Sequence, residues 1–373
     1  MRAFRFLVSL ALATAPAGCM FLAQTWLLLS GQGDAVLDLA RYGGLIGLIF
    51  LAFDGGSGLA PTLMRQRHAA SAIRSAYLVY RGGVLAVLLA ILPLAWLTAP
   101  VETLALLPLL AAALLLRLPL LDADLDRHGW QHWSMALQNG WMLPLAVTAS
   151  LTGEMDARTA GHAALWSTLA LFAAHHLLVR EKQQIGGDFR PPLIEIVSFA
   201  CAQGIGQAYG RAVMFILGAA FTGPLPALVI YAKQAFNAAG PLVNYLRRIE
   251  LAQSRADMKL SLSGQTAICL VAGALVALAA ARLGLPLVLA LTLIAWQIFE
   301  KLSANAVYAH QIAVRHRLAL GSLVLVASLG LFGLAVADGQ PLVFIAAETI
   351  GYAIVLILWL PARRQPFNTE RRP

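Results

Sequence analysis

The chain has 373 residues, of which 60% are hydrophobic and 12% are charged, and its mean hydropathy is +0.74. A soluble domain carries roughly 25% charged residues, so this composition excludes a soluble globular protein and indicates a polytopic membrane protein. The net charge of +9 is then the mark of basic cytoplasmic loops, and no nucleic-acid partner is expected.

Apolar runs long enough to cross a bilayer, which takes about 20 helical residues, recur along the whole chain. They fall at about 6–29, 39–64, 79–98, 101–118, 132–152, 159–179, 192–221, 225–246, 262–281, 284–304, 318–337 and 341–361. The sequence therefore predicts an all-α, polytopic membrane protein with about 12 transmembrane helices. These are arranged as two six-helix bundles around a central cavity.

A polar stretch that is closed by two prolines separates the first six runs from the last six. It predicts an N-terminal bundle over 1–180, a cytoplasmic linker over 181–191 and a C-terminal bundle over 192–373. With the N-terminus inside, the outer loops hold only Arg158 and Arg282 of the 27 Lys and Arg residues. This bias predicts that both termini are cytoplasmic.

The second run contains an acidic residue beside glycines. Asp54 is followed by Gly55 and Gly56, and a charge within a membrane segment is costly and by default marks function. Asp54 is interpreted as an ion site, as a partner for Lys233 or Arg211, or as a hinge. A structural or gating role is favoured over ion coupling.

Polar side chains follow one face of the seventh run and one face of the eighth. Gln203, Gln207 and Arg211 are spaced by four residues, as are Lys233 and Asn237, so each set shares a helix face. Because each face carries a cation, they are interpreted as the wall of a hydrated cavity that binds an anion, for which phosphate is the natural match.

The alternative is that these cations form structural ion pairs. Arg211 or Lys233 would then pair with an acid such as Asp54 or Glu348. Glu348, in the last run, is a second candidate for gating or ion coupling, and an interhelical hydrogen bond explains it equally well.

Other charged residues are interpreted as structural. Glu195 and the pair Glu300–Lys301 are read as boundary residues that reach water by snorkelling, and His175 and His176 as interfacial packing. No catalytic triad, metal-ligand spacing or loop of domain length is found. The chain is therefore expected to be a transporter without a cofactor; a membrane-embedded glycan polymerase or transferase is the alternative from another class.

The segment FDGGSGLAPTLMRQR, which begins at Phe53, resembles the second-helix pattern of polysaccharide flippases. These proteins are the O-antigen (Wzx-type) branch of the multidrug/oligosaccharidyl-lipid/polysaccharide exporter superfamily. The Asp-x-Gly element and the closing Arg of that pattern match Asp54, Gly56 and Arg65. At the eighth run, Gly223 and Tyr231 are similar to a Gly…Tyr-x-x-Ala pattern of the family, although here Ala follows Tyr231 directly.

The resemblance implies a V-shaped pair of bundles that works by alternating access. Such a protein moves a polyprenyl-diphosphate-linked oligosaccharide across the bacterial cytoplasmic (inner) membrane for surface polysaccharide assembly. Arg211 and Lys233 would attract the diphosphate, and Asp54 with its glycines would let the second helix bend. Implied partners are membrane lipids, a polysaccharide polymerase and chain-length machinery. The rival with the same fold is a cation-coupled multidrug exporter, whose first helix usually carries an acid that the first run here lacks.

Overall fold

The computed structural model describes residues 2–55, 64, 67–98, 105–121, 124–125, 130–179, 185–238, 259–312, 316–338 and 340–362. Its helices, numbered here in chain order, are α1 (Arg2–Leu29), α2 (Gly33–Asp54), α3 (Ala70–Thr98), α4 (Leu106–Leu116), α5 (Gln131–Gln138), α6 (Met142–Thr152), α7 (Ala157–Leu178), α8 (Arg190–Ala220), α9 (Pro224–Asn237), α10 (Lys259–Arg282), α11 (Leu287–Ile312), α12 (His316–Ala335) and α13 (Pro341–Ala362). No strand occurs in these residues, and the predicted all-α class is confirmed.

Each predicted apolar run contains a helix, and one run contains two. The fifth run, 132–152, forms two helices, α5 and α6, which are separated by a turn at Asn139 and Gly140. The amide of Met142 donates to the carbonyl of Asn139 across this turn at 3.0 Å. Asn and Gly are poor helix formers, which explains why a continuous apolar run breaks here.

Five described helices are long and apolar enough to cross a membrane, namely α2, α3, α10, α11 and α13. Shorter apolar segments lie within α1 and α12 and make up α4 and α6. Many of their large apolar side chains are exposed, such as Leu270 at 72% and Leu151 at 81%. Exposed apolar surface of this extent is suited to lipid rather than to water.

The most extensive helix contact joins α2 to α8 and depends on a glycine. A side chain at Gly44 of α2 would place its Cβ 2.7 Å from the backbone nitrogen of Phe215 and 2.9 Å from the carbonyl oxygen of Arg211. Only glycine permits this approach of two helix backbones, as at other small-residue interfaces in membranes.

Apart from the contacts of α8 with α2 and α3, the first seven helices pack mainly on one another, and so do the last six. Besides α2 and α8, the two groups meet where Thr25 Oγ1 lies 3.0 Å from Tyr231 Oη and where Phe21 stacks on the Tyr231 ring. They also meet where Glu195 accepts from His68 at 3.0 Å. The division into bundles at 181–191 stays a prediction, although α8 begins at Arg190, close to the predicted boundary.

Candidate functional site

Four charged side chains meet inside the last six helices: Lys233 of α9, Glu300 and Lys301 of α11, and Glu348 of α13. Lys233 Nζ lies 2.9 Å from Glu348 Oε1 and 3.6 Å from Glu300 Oε2. Lys301 Nζ lies 3.3 Å from Glu300 Oε1. We call this set the lysine–glutamate network. Its two positive and two negative charges cancel, which is what allows charged groups to stay away from water.

Glu348 accepts more hydrogen bonds than any other residue of the network. It is fully buried, its Oε1 accepts from Lys233 and from the Tyr209 hydroxyl, and its Oε2 accepts from Trp296 Nε1 at 2.7 Å. Three donors, from α8, α9 and α11, thus hold the carboxylate of this α13 residue in place. Glu348 therefore makes interhelical hydrogen bonds, which were one of the two interpretations of this residue in the sequence analysis.

Aromatic rings enclose the ammonium group of Lys233. The Nζ atom lies 5.5 Å from the ring centroid of Tyr209, 5.2 Å from that of Trp296 and 5.8 Å from that of Phe344. Ring faces at this range attract a desolvated cation. The pairing of Lys233 with Glu348 is the structural alternative raised from the sequence.

Glu300 is held more loosely than Glu348. Its side chain is 16% exposed, its Oε1 accepts from Lys301 at 3.3 Å and from Asn237 Nδ2 at 3.5 Å, and both distances are long. Its Oε2 accepts no hydrogen bond from any described residue. Glu300 and Lys301, which the sequence analysis interprets as boundary residues, lie within α11, which continues to Ile312, and both side chains join the network.

Asn237 supports the network from the end of α9. Its Nδ2 donates to the Lys233 carbonyl at 2.8 Å, and its Oδ1 accepts from Lys301 at 2.5 Å. The predicted face of Lys233 and Asn237 thus exists, and it points toward α11.

Arg211 differs from Lys233, because the described part of the chain gives it no hydrogen bond and no ion pair. It is half-buried on α8, and its guanidinium lies against α2, where a Cβ at Gly47 would be 2.8 Å from Nη1. Arg211 therefore lies at the junction of the two helix groups with its charge uncompensated by any described acid.

Asp54 does not pair with Arg211 or Lys233. Its Oδ1 lies 3.6 Å from Arg81 Nη2 and its Oδ2 lies 3.6 Å from Arg117 Nη1. The predicted run extends to residue 64, whereas α2 ends at Asp54 because Gly55 takes a left-handed conformation (φ +54°). Asp54 therefore joins the end of α2 to α3 and to the end of α4.

A second buried ionic group was not predicted. Asp124 accepts from Arg74 Nη2 at 2.8 Å, and its Oδ2 lies 3.5 Å from His175 Nε2. Burial alone would raise the pKa of Asp124, but the close contact of His175 and the hydrogen bond and charge of Arg74 outweigh it, so the pKa is lowered. The adjacent His176 packs on Phe172, with 4.1 Å between ring centroids.

The remaining predicted site residues lie apart from these contacts. Gln207 is exposed on α8. Gln203 belongs to α8, but its side chain lies outside the described residues, as does Gly56 altogether. Trp296 and Tyr209 were missed, since no short-range pattern distinguishes an aromatic hydrogen-bond donor from ordinary membrane packing.

No protein-family model and no curated protein matches the chain. Solved structures do match it over nearly its whole length. It is similar to the lipid II flippase MurJ in an inward closed conformation, with a TM-score of 0.64, 10% identity, and coverage of 96% of this chain and 88% of the other. It is also similar to an outward-facing multidrug resistance MATE family transporter of the MOP superfamily, with a TM-score of 0.57, 15% identity and coverage of 96% and 95%.

A third similar structure is a MOP superfamily transporter from Pyrococcus furiosus, with a TM-score of 0.54 and 15% identity. Coverage is 98% of this chain and 96% of the other. At such low identity the likeness concerns the fold alone. The chain therefore has the fold of MOP-superfamily transporters and is a polytopic, all-helical membrane protein.

Proposed function

We propose that this protein is a flippase that moves polyprenyl-diphosphate-linked oligosaccharide repeat units across the bacterial cytoplasmic membrane for surface polysaccharide assembly. The observation that carries the proposal is Arg211, a half-buried guanidinium at the junction of the two helix groups that no described acid neutralises. Guanidinium binds diphosphate through paired, charge-assisted hydrogen bonds.

The balance of charge favours an anionic cargo over a cationic one. An exporter of cationic drugs needs an accessible acid, but Asp54 and Glu348, the acids predicted to act in gating or ion coupling, already have basic partners: Asp54 has Arg81 and Arg117, and Glu348 has Lys233. Arg211 leaves the balance positive. A positive balance disfavours the cation-coupled multidrug exporter, which shares the fold.

The lipid and glycan parts of the cargo have separate support. The name of the similar lipid II flippase specifies a lipid-linked substrate. The segment around Asp54 resembles that of polysaccharide flippases. In this proposal Arg211 binds the diphosphate, the glycan crosses between the helix groups and the lipid tail stays in the bilayer. Lys233 sets the structure of α9, α11 and α13 rather than binding cargo. A polysaccharide polymerase and chain-length machinery would take up the product.

The test is the fate of lipid-linked glycan in a strain that lacks the protein. We expect loss of surface polysaccharide, with complete repeat units retained on the polyprenyl carrier. Wild type and Arg211→Lys should restore the surface glycan, Arg211→Gln should not, and the exposed Arg158→Gln should serve as a matched control that restores it.

Two results would contradict the proposal. Unchanged surface polysaccharide together with new drug sensitivity would favour the multidrug exporter. Incomplete repeat units would indicate a transferase, and unpolymerised repeat units on the outer leaflet would indicate a polymerase. In either case the role of Arg211 as a diphosphate ligand would fall with the proposed cargo.

A further inference from the structure

Glycines on both sides of the contact between α2 and α8 do not all have the same neighbours. Gly44 and Gly47 of α2 are three residues apart and share a helix face, and Gly218 lies on α8. A Cβ at Gly44 would come nearest to the backbone nitrogen of Phe215, at 2.7 Å, and a Cβ at Gly218 would lie 2.7 Å from the backbone nitrogen of Arg41. These two glycines let the helix backbones approach each other.

Gly47, in contrast, faces a side chain. The three nearest atoms that a Cβ at Gly47 would meet all belong to the side chain of Arg211, with Nη1 at 2.8 Å, Cδ at 2.9 Å and Cζ at 3.0 Å. Distances this short leave no room for a methyl group. The guanidinium of Arg211 therefore occupies the space that a side chain at position 47 would fill, and we call this space the Gly47 niche.

The Gly47 niche fixes the orientation of the Arg211 side chain. The described part of the chain gives the guanidinium no hydrogen bond and no ion pair. An arginine side chain is long and loses much rotamer freedom when it is ordered. Packing against α2 is thus the described contact that orders this one before any ligand binds. A group that is already ordered binds its ligand more tightly, because the ordering is not paid for again on binding.

We propose that Gly47 is a positioning residue for Arg211, because its missing side chain leaves the niche that holds the guanidinium and leaves the N–H groups for the diphosphate. The inference rests on the proposed function, in which Arg211 binds the diphosphate. Paired hydrogen bonds to phosphate require the guanidinium plane in a set orientation. A methyl group at position 47 would turn that plane away and leave the charge of Arg211 unchanged.

This role separates transport from stability. Alanine at position 47 displaces a flexible side chain and raises the helix propensity of α2, so the fold should not be weakened. Alanine at position 44 meets the α8 backbone, which cannot move aside in the same way. Gly47→Ala should therefore lose transport while it keeps its stability, whereas Gly44→Ala should lose stability.

The experiment measures flipping of a fluorescent polyprenyl-diphosphate oligosaccharide by the full-length protein in proteoliposomes, together with the Tm of each variant in detergent. Gly47→Ala should flip the probe at least about tenfold more slowly than wild type, which corresponds to the loss of one charge-assisted hydrogen bond. Its Tm should fall by no more than about 2 °C. Gly83→Ala adds a methyl group where no atom lies within 4 Å. It is the matched control and should flip the probe at the wild-type rate.

A substitution of Arg211 shows whether the effect passes through its side chain. Lysine has neither Cζ nor Nη1, two of the three atoms that a Cβ at position 47 would approach. Adding Gly47→Ala to Arg211→Lys should therefore change the flipping rate by less than about twofold, far less than it does in wild type. Gly44→Ala meets backbone atoms and should lower Tm equally in both backgrounds.

The outcomes distinguish this inference from the proposed function. If Gly47→Ala flips the probe as fast as wild type, or if its defect is equally large in Arg211→Lys, the positioning role is overturned and the flippase proposal stands. A Gly47→Ala protein that unfolds and is not restored by Arg211→Lys also overturns the positioning role. Wild type that does not flip the probe overturns both proposals.

Discussion

The pairing of Lys233 with Glu348 gives a sharp prediction about stability. In Lys233→Met the network keeps two glutamates with only Lys301 as their counter-charge, so one negative charge is left uncompensated. Removing one member of a buried pair costs about 3–5 kcal/mol, mainly because the charge that remains is stranded. The three ring contacts of Lys233 Nζ, at 5.2–5.8 Å, are lost as well. At roughly 2 °C per kcal/mol, Tm should fall by about 6 to 10 °C.

The double variant Lys233→Met/Glu348→Gln separates lost charge from lost packing. It leaves Glu300 with Lys301, so the charge is again balanced. The double variant should therefore be more stable than the sum of the single variants predicts, with a coupling energy of about 2–3 kcal/mol. Thermal unfolding in detergent, followed by circular dichroism, measures all four forms. The exposed Arg158→Met is the control and should change stability by less than about 0.5 kcal/mol.

Additive single effects, or a Lys233→Met variant as stable as wild type, would refute this reasoning. Either result would mean that the ammonium group of Lys233 is solvated in the membrane rather than paired. Lys233 would then be available to bind the cargo, as the sequence analysis considered.

Three further predictions concern backbone and loop positions. Gly44→Ala should lower Tm, because its Cβ would approach the α8 backbone to 2.7 Å. Gly83→Ala, in the open part of α3, should raise Tm slightly. Equal shifts in the same direction would contradict the close packing of α2 on α8 at Gly44. Gly55→Ala should destabilise the protein by more than about 1 kcal/mol, since its φ of +54° suits glycine and its Cβ would come within 2.5 Å of the Tyr80 ring. Because the pKa of Asp124 is lowered from its ordinary 3.8, its ion pairs stabilise the fold above that value and the gain is lost as pH falls below it. Asp124→Asn should therefore flatten the acid limb of a plot of Tm against pH, and an unchanged limb would show that another carboxylate dominates it.

The sequence predicts the helices well, because each apolar run must satisfy its own backbone hydrogen bonds in lipid. The run 132–152 divides into two helices, and Asn139 and Gly140 mark the break. The glycine cluster after Asp54 is apparent in the sequence. The length of α2 could not be predicted, because a run of apolar residues does not show which residue takes a left-handed conformation and ends the helix.

Ionic pairing could be predicted only in part. The residue types of Lys233 and Glu348 suggest a pair, but 115 positions separate them, and a single sequence offers Asp54 as an equal partner. Glu300 and Lys301 were interpreted as boundary residues because they lie near a predicted cytoplasmic end, where charges can reach water by snorkelling. In the folded chain α11 continues past them, and their partners Lys233 and Asn237 lie on α9.

The central claim is that the protein carries a lipid-linked anionic glycan, and flipping in proteoliposomes tests it most directly. Purified protein is reconstituted with a fluorescent polyprenyl-diphosphate oligosaccharide, and the fraction that becomes accessible to a membrane-impermeant reagent is followed over time. We predict rapid flipping by wild type, flipping retained by Arg211→Lys and flipping reduced at least tenfold by Arg211→Gln. Wild-type flipping no faster than that of empty liposomes, or full activity of Arg211→Gln, would contradict the account.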